Sequence, residues 1–93
     1  MPQPFELTVP AAALFRPLAS DVAARYAELA GGSAADGSAL ATAVATAGET
    51  VTADAPADAG LALSFRPQRE GIEIDLRCGT RQTTVRRALV TQS

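Results

Sequence analysis

Histidine, lysine and tryptophan are absent from this 93-residue chain, and its only cysteine is Cys78. Without histidine, the chain lacks the side chain that most often serves as a general base or a metal ligand. A single cysteine forms no internal disulfide, so a reducing compartment, the cytoplasm, is the default expectation. No spacing typical of a zinc site, a catalytic triad or a phosphate loop is present.

Long apolar runs and an excess of positive charge are also lacking. No segment approaches the roughly 20 apolar residues of a membrane-spanning helix. Residues 1–6 contain no basic region followed by an apolar stretch, as a secretory signal would. The net charge is −2 and the pI about 4.9, whereas non-specific binding to nucleic acid or anionic membranes needs a basic excess. We therefore expect neither nucleic acid nor a membrane as a partner.

Alanine makes up about a fifth of the residues, and all eight basic residues are arginine. We interpret this bias as that of a GC-rich genome. The length predicts one domain over residues 1–93. A domain of this size buries roughly 60–70% of its unfolded surface, which suffices for a core between two layers.

Apolar periodicity predicts the first strand and helix. Residues 5–9 alternate between apolar and polar side chains, as a half-buried strand does, and Pro10 closes this segment. Residues 11–30 have helical spacing, and two glycines follow as a stop signal. Pro17 lies either in the first turn, with the regular helix beginning near Arg16, or at a kink. The predicted inward stripe comprises Leu14, Leu18, Val22, Tyr26 and Leu29.

A second helix is predicted after Ser33. Ser33 and Asp36 have the spacing of a capping box, with Asp in place of Glu. Small residues dominate this helix, so another element can pack close to it. Gly48 costs such a helix about 1 kcal/mol relative to alanine. The expected inward face comprises Leu40, Val44, Ala47 and Val51.

The remaining chain predicts a loop and three strands. Residues 53–60 have the composition of a loop, whereas residues 61–65 and 72–76 alternate, with a hairpin connection at 67–71. Residues 83–90 are β-prone and predict a fourth strand. This order predicts an α+β two-layer sandwich, with two helices packed on one face of a mostly antiparallel sheet of three or four strands. The expected inward strand residues are Leu61, Leu63, Phe65, Ile72, Ile74 and Leu76.

Several runs resemble, in order and spacing, segments of the histidine-kinase-like (GHKL) ATPases, and most closely the small anti-sigma-factor serine kinases. The runs are LTVP at 7–10, AELAG at 27–31, TAV at 42–44, GLALSFRP at 60–67 and GIEI at 71–74. The similarity extends over residues 5–79. It implies one truncated, degenerate domain of that family, which ends before the glycine-rich lid.

The resemblance also implies that the catalytic groups have been lost. In that family the second helix reads Ala-Val-x-Glu-Ala-x-x-x-Asn, where the Glu polarises the attacking group and the Asn binds magnesium. Alignment on Ala43 and Val44 places Thr46 at the Glu position and Thr50 at the Asn position. Threonine is no base near neutral pH, and its hydroxyl is a poor ligand for magnesium. The other interpretation of this segment is an ordinary alanine-rich core helix.

The family's adenine-binding Asp would follow the second strand of the central hairpin. That position falls on Cys78, and Thr80 and Gln82 occupy positions where the family has glycines. A register shift would bring Asp75 nearer, but it would break the alternation of the strand. The degenerate positions Thr46, Thr50 and Cys78 therefore imply no catalytic residue, no cofactor and no metal.

Four arginines make the C-terminal segment basic: Arg77, Arg81, Arg86 and Arg87. They either bind a phosphate or an acidic protein partner, or form a solvated strand face that discourages edge pairing.

We interpret the chain as a non-enzymatic bacterial regulatory domain that resembles an anti-sigma factor without ATP binding. The resemblance implies a protein partner, such as a sigma factor or an anti-anti-sigma factor. It is also compatible with a homodimer. One alternative is an ATP-dependent anti-sigma serine/threonine protein kinase. The other is a small structural subunit of a larger assembly, in which a partner chain or a second copy replaces the missing lid.

Overall fold

The computed structural model describes residues 3–12, 16–56, 58–69 and 71–88. In these residues the strands form one antiparallel sheet in the order β1-β2-β3-β4. Both helices pack on one face of this sheet: α1 contacts β1, and α2 lies over β3 and β4. The predicted α+β architecture is confirmed. The elements are β1 (Phe5–Pro10), α1 (Arg16–Leu29), α2 (Ala34–Thr52), β2 (Gly60–Gln68), β3 (Gly71–Cys78) and β4 (Arg81–Ala88).

Local signals set both ends of α1. The helix begins at Arg16, so Pro17 lies in the first turn, where its missing N–H breaks no helical hydrogen bond. At the other end, the N–H groups of Gly31 and Gly32 donate to the carbonyls of Glu28 and Ala27. Gly31 has a φ of 98°, the left-handed conformation that this type of helix end requires.

The inward face of α1 matches the predicted stripe only in part: Tyr26 is buried and Val22 packs against the core. Leu18 is 51% and Leu29 is 68% exposed, and Leu14 lies outside the described residues. The physical reason is the close approach of α2, because a Cβ atom on Gly37 would lie 3.1 Å from the Ala24 carbonyl oxygen. Bulky side chains do not fit at such a crossing. The buried residues of α1 are Ala19, Ala23, Tyr26 and Ala27.

The predicted start and inward face of α2 are confirmed. The Ser33 hydroxyl accepts the backbone N–H of Asp36, and the Asp36 carboxylate accepts that of Ser33. Leu40, Val44 and Val51 are buried, and Ala47 packs against the core.

The strand register places the predicted apolar residues on the face below the helices. All six inward residues of β2 and β3 are fully buried. The hairpin between them is shorter than predicted, because β2 continues to Gln68 and β3 begins at Gly71. Gly71 is needed there, since any Cβ would collide with the Arg87 carbonyl oxygen of β4. The predicted fourth strand is β4, and residues 89–90 of that prediction lie outside the described residues.

Three aromatic rings join β1, α1 and β2. The Phe5 ring stacks on Phe65 with 4.5 Å between centroids, and Tyr26 contacts both rings. The Tyr26 hydroxyl donates to the Gln3 carbonyl, and burial raises its pKa above the ordinary value. This contact places the end of α1 over the start of β1.

The two glycines of α2 provide a test of the packing. We expect Gly48→Ala to stabilise the domain by about 0.5–1 kcal/mol, because it gains helix propensity and its Cβ would meet only Leu61, at 3.8 Å. Gly37→Ala gains the same propensity but forces α1 and α2 apart. Urea unfolding should therefore give Gly48→Ala a higher free energy of unfolding than Gly37→Ala. Equal values would contradict a tight crossing at Gly37.

Candidate functional site

The positions aligned with the ATPase motif do not converge on one site. Thr46 and Thr50 are exposed on α2, and the Thr50 hydroxyl donates to the Thr46 carbonyl at 3.1 Å. Cys78 is buried at the end of β3. It lines a cleft of about 270 Å³ between the end of α2 and the turn from β3 to β4. The two threonines are not part of the lining.

Arg81 also lines this cleft. Its guanidinium donates to the Thr50 carbonyl at 3.3 Å and to the Asp54 carboxylate at 2.6 Å. A cation at the C-terminal end of a helix is favourable because the last carbonyls carry partial negative charge. Arg81 therefore connects the end of α2 to the start of β4.

Arg87 makes the corresponding contact at the other end of α2. It donates to the Asp36 carboxylate at 3.0 Å, and Asp36 is only 3% exposed. The same carboxylate belongs to the capping box. Since β4 carries Arg81 at its start and Arg87 near its end, the two arginines attach both ends of α2 to one strand. These two predicted partner-binding residues thus make contacts within the fold.

Arg77 and Arg86 lie on the outer face of the sheet, away from the helices. The strand register places them beside Arg66, Glu73 and Asp75. Glu73 pairs with Arg66 at 2.9 Å and with Arg86 at 3.2 Å, and Arg66 also pairs with Asp75. We name these five residues the outer-face charge cluster. Sequence reasoning missed Arg66 and the two acidic members, although the strand alternation and the hairpin pairing could have identified them.

The pKa of Asp75, one acidic member of the cluster, is shifted by its surroundings. The hydrogen bond from the Thr84 hydroxyl lowers the pKa of Asp75 below its ordinary value; partial burial opposes this effect, and the charge of Arg66 adds to it. The Arg86 side chain is 76% exposed. The Arg77 side chain has no hydrogen-bond or ion-pair partner within the described ranges. Arg77 and Arg86 are therefore the cations of this cluster that are most accessible to a partner.

A second, larger cleft lies beside the turn between β2 and β3. Its volume is about 600 Å³, and it is lined in part by Arg69, Glu73, Arg86 and Arg87. It adjoins the outer-face charge cluster and extends the accessible basic surface toward the hairpin. The arrangement is suited to carboxylate or phosphate groups, which guanidinium groups bind through paired hydrogen bonds.

In the described part of the chain, no group of three or more Cys, Asp or Glu residues is arranged to hold a metal ion. Neither described helix has the length and hydropathy needed to cross a bilayer. No family model, curated protein or solved structure matches the chain.

The two arginine contacts to α2 differ in burial and should differ in energy. We expect Asp36→Ala to lower the free energy of unfolding by about 2–3 kcal/mol, because it removes a helix cap and a largely buried ion pair. Asp54→Ala is the matched control and should cost less than about 1 kcal/mol, since its pair with Arg81 is exposed. Asp36→Asn keeps an acceptor for the helix cap, so its loss of free energy of unfolding should lie between those of the two alanine variants. Urea unfolding measures all three, and equal losses for Asp36→Ala and Asp54→Ala would contradict the assignment.

Proposed function

We propose that the chain is a non-catalytic cytoplasmic protein-interaction domain with a regulatory role, whose partner binds the outer face of the sheet. The observation that carries the proposal is the separation of the four arginines. Arg81 and Arg87 hold α2, whereas Arg77 and Arg86 lie on the opposite face of the sheet and are exposed. An acidic protein surface has the chemistry to bind them.

The outer face suits recognition because its charges are already ordered. Arg66, Glu73 and Asp75 are joined by ion pairs on adjacent strands, so these three side chains lose little entropy when a partner docks. Arginine is also enriched at the energetic centres of protein interfaces. The resemblance to anti-sigma factors without ATP binding suggests a sigma factor or an anti-anti-sigma factor as the class of partner.

The alternative function is an ATP-dependent anti-sigma serine/threonine kinase, and one observation favours it. Cys78, one of the three motif positions, lines a cleft at the end of α2. Its volume of about 270 Å³ is just below the range of about 300–1,000 Å³ that is usual for small-molecule sites. Arg81 and Asp54, which line this cleft, are already paired with each other. The small volume of the cleft and the ion pair in its lining favour the non-catalytic proposal over the kinase.

Partner binding can be tested by charge reversal on the outer face. We expect Arg77→Glu and Arg86→Glu each to weaken binding about tenfold or more, because each puts a carboxylate opposite an acidic surface. The partner would be isolated by affinity capture from the source cells, purified and titrated by calorimetry. The double variant Ser38→Glu/Ala45→Glu is the control, since it lowers the net charge by the same amount on the exposed side of α2. Equal binding by wild type, Arg77→Glu and Arg86→Glu would refute the proposed surface.

Nucleotide binding can be tested separately. Calorimetry with Mg-ATP at millimolar concentration should give no heat above dilution, because the threonines at the motif positions supply neither a base nor a good magnesium ligand. Mg-ADP serves as a control that reports nucleotide binding without phosphoryl transfer. Micromolar affinity for either nucleotide would favour the kinase alternative.

A further inference from the structure

The cleft beside the turn between β2 and β3 concentrates positive charge. Its described lining contains three arginines, Arg69, Arg86 and Arg87, and one acid, Glu73. Three positive charges against one negative charge leave an excess of two, in a chain whose net charge is −2. Because like charges held close together repel one another, this excess favours the binding of an anion.

The single acid in this described lining already has several donors. Oε1 of Glu73 accepts a hydrogen bond from Arg66 at 2.9 Å, and Oε2 accepts one from Arg86 at 3.2 Å and one from the Gln68 amide at 3.4 Å. Arg66 is not among the described lining residues, so it brings this carboxylate a cation from outside the cleft. Glu73 is therefore a weak obstacle to an anion.

The three arginines keep hydrogen-bond donors that the fold does not use. Arg86 donates to Glu73 through Nε, which leaves both of its terminal nitrogens. Arg87 donates to Asp36 through Nη2, and its Nε is buried without a partner. Arg69 is exposed and has no hydrogen-bond or ion-pair partner within the described ranges. A guanidinium group has five N–H donors, so the cleft offers several of them.

Two of these arginines are held in place by the fold. The Arg87 guanidinium is fixed by the Asp36 carboxylate, which also caps α2, and its side chain remains 39% exposed. The Arg86 guanidinium is fixed by Glu73. Donors that are ordered before binding lose little entropy when a ligand arrives. The cleft is thus preorganised for an anion.

We propose that this cleft binds the phosphate group of a phosphate monoester. Such a group carries a charge of about −1.5 to −2 at pH 7, which matches the excess of two positive charges, whereas a carboxylate carries only one negative charge. Its three terminal oxygens accept hydrogen bonds from several guanidinium groups at once. The volume of about 600 Å³ also leaves room for the group that carries the phosphate, as in ordinary small-molecule sites.

This site is separate from the other candidate surfaces. Since β3 runs from Gly71 to Cys78, the cleft beside Cys78 lies at the opposite end of the strand. The phosphate site also goes beyond the surface proposed for a protein partner. Of the two arginines assigned to that partner, Arg86 lines the cleft and Arg77 does not. Variants of Arg69 and Arg77 therefore distinguish phosphate binding from partner binding.

Titration with inorganic phosphate tests the site on the full chain. In NMR spectra of isotope-labelled protein at constant ionic strength, the amide signals of Gly71 and Ile72 should shift and saturate at millimolar phosphate. Arg69→Gln should raise the dissociation constant about fivefold or more, because charge-assisted hydrogen bonds are lost. Arg77→Gln is the matched control, since it removes the same charge outside the cleft and should leave the constant unchanged. Both side chains are exposed, so both variants should retain the fold, which circular dichroism checks.

The pH dependence of binding tests the charge of the ligand. A phosphate monoester loses its second negative charge below a pKa of about 6, and the chain has no histidine that would titrate in the same range. Glycerol phosphate should therefore bind severalfold more weakly at about pH 5.5 than at about pH 7.5. Sulfate keeps both charges and should bind equally at the two pH values. Equal binding of glycerol phosphate at both would overturn the assignment to a doubly charged group.

A phosphoserine peptide identifies the source of the phosphate. Tighter binding of this peptide than of glycerol phosphate would assign the site to a phosphorylated protein, and any other order would assign it to a small phosphorylated compound. Absence of saturation with all of these probes, or equal losses in Arg69→Gln and Arg77→Gln, would overturn the proposal. Neither result bears on the partner surface, which is tested by Arg77→Glu.

Discussion

The close contact between α1 and α2 is the constraint on which the rest of the structure depends. Four strands about 4.8 Å apart provide a narrow face, and two helices share it only if their axes approach closely. The Ala24 carbonyl beside Gly37 marks this approach. Alanines therefore occupy the inner side of α1, and its leucines lie elsewhere. The same contact places α2 over β3 and β4, within reach of Arg81 and Arg87 of β4.

The order of elements could be predicted from the sequence because each element has a local cause. Alternation marked the strands, and the pair of Ser33 and Asp36 marked the start of α2. The inward side of α1 could not be predicted in this way. A hydrophobic stripe favours leucine over alanine, but the size limit at a helix crossing is a tertiary property. Leu18 and Leu29 were misassigned because the neighbouring helix, rather than their own hydrophobicity, decided which side was buried.

The candidate site, like the fold, could be predicted from the sequence only in part. The sequence identified the four arginines as a group but could not separate them. Arg86 and Arg87 are adjacent in the chain, yet the pleat sends them to opposite faces of the sheet. One pairs with Glu73 and the other with Asp36. The register and the position of α2 decide these roles, and neither is encoded within the segment itself. The functional interpretation therefore rests on the pairing of strands as much as on composition.

The contact between Asp36 and Arg87 has a consequence for biosynthesis. The two residues are 51 positions apart, and β1 meets β2 only after both helices have been made. During translation, the start of α2 leaves the ribosome long before its arginine partner. Until then Asp36 remains hydrated, and the sheet lacks its last strand. Folding can therefore be completed only after β4 has been made, because the contacts that close the sheet join distant parts of the chain.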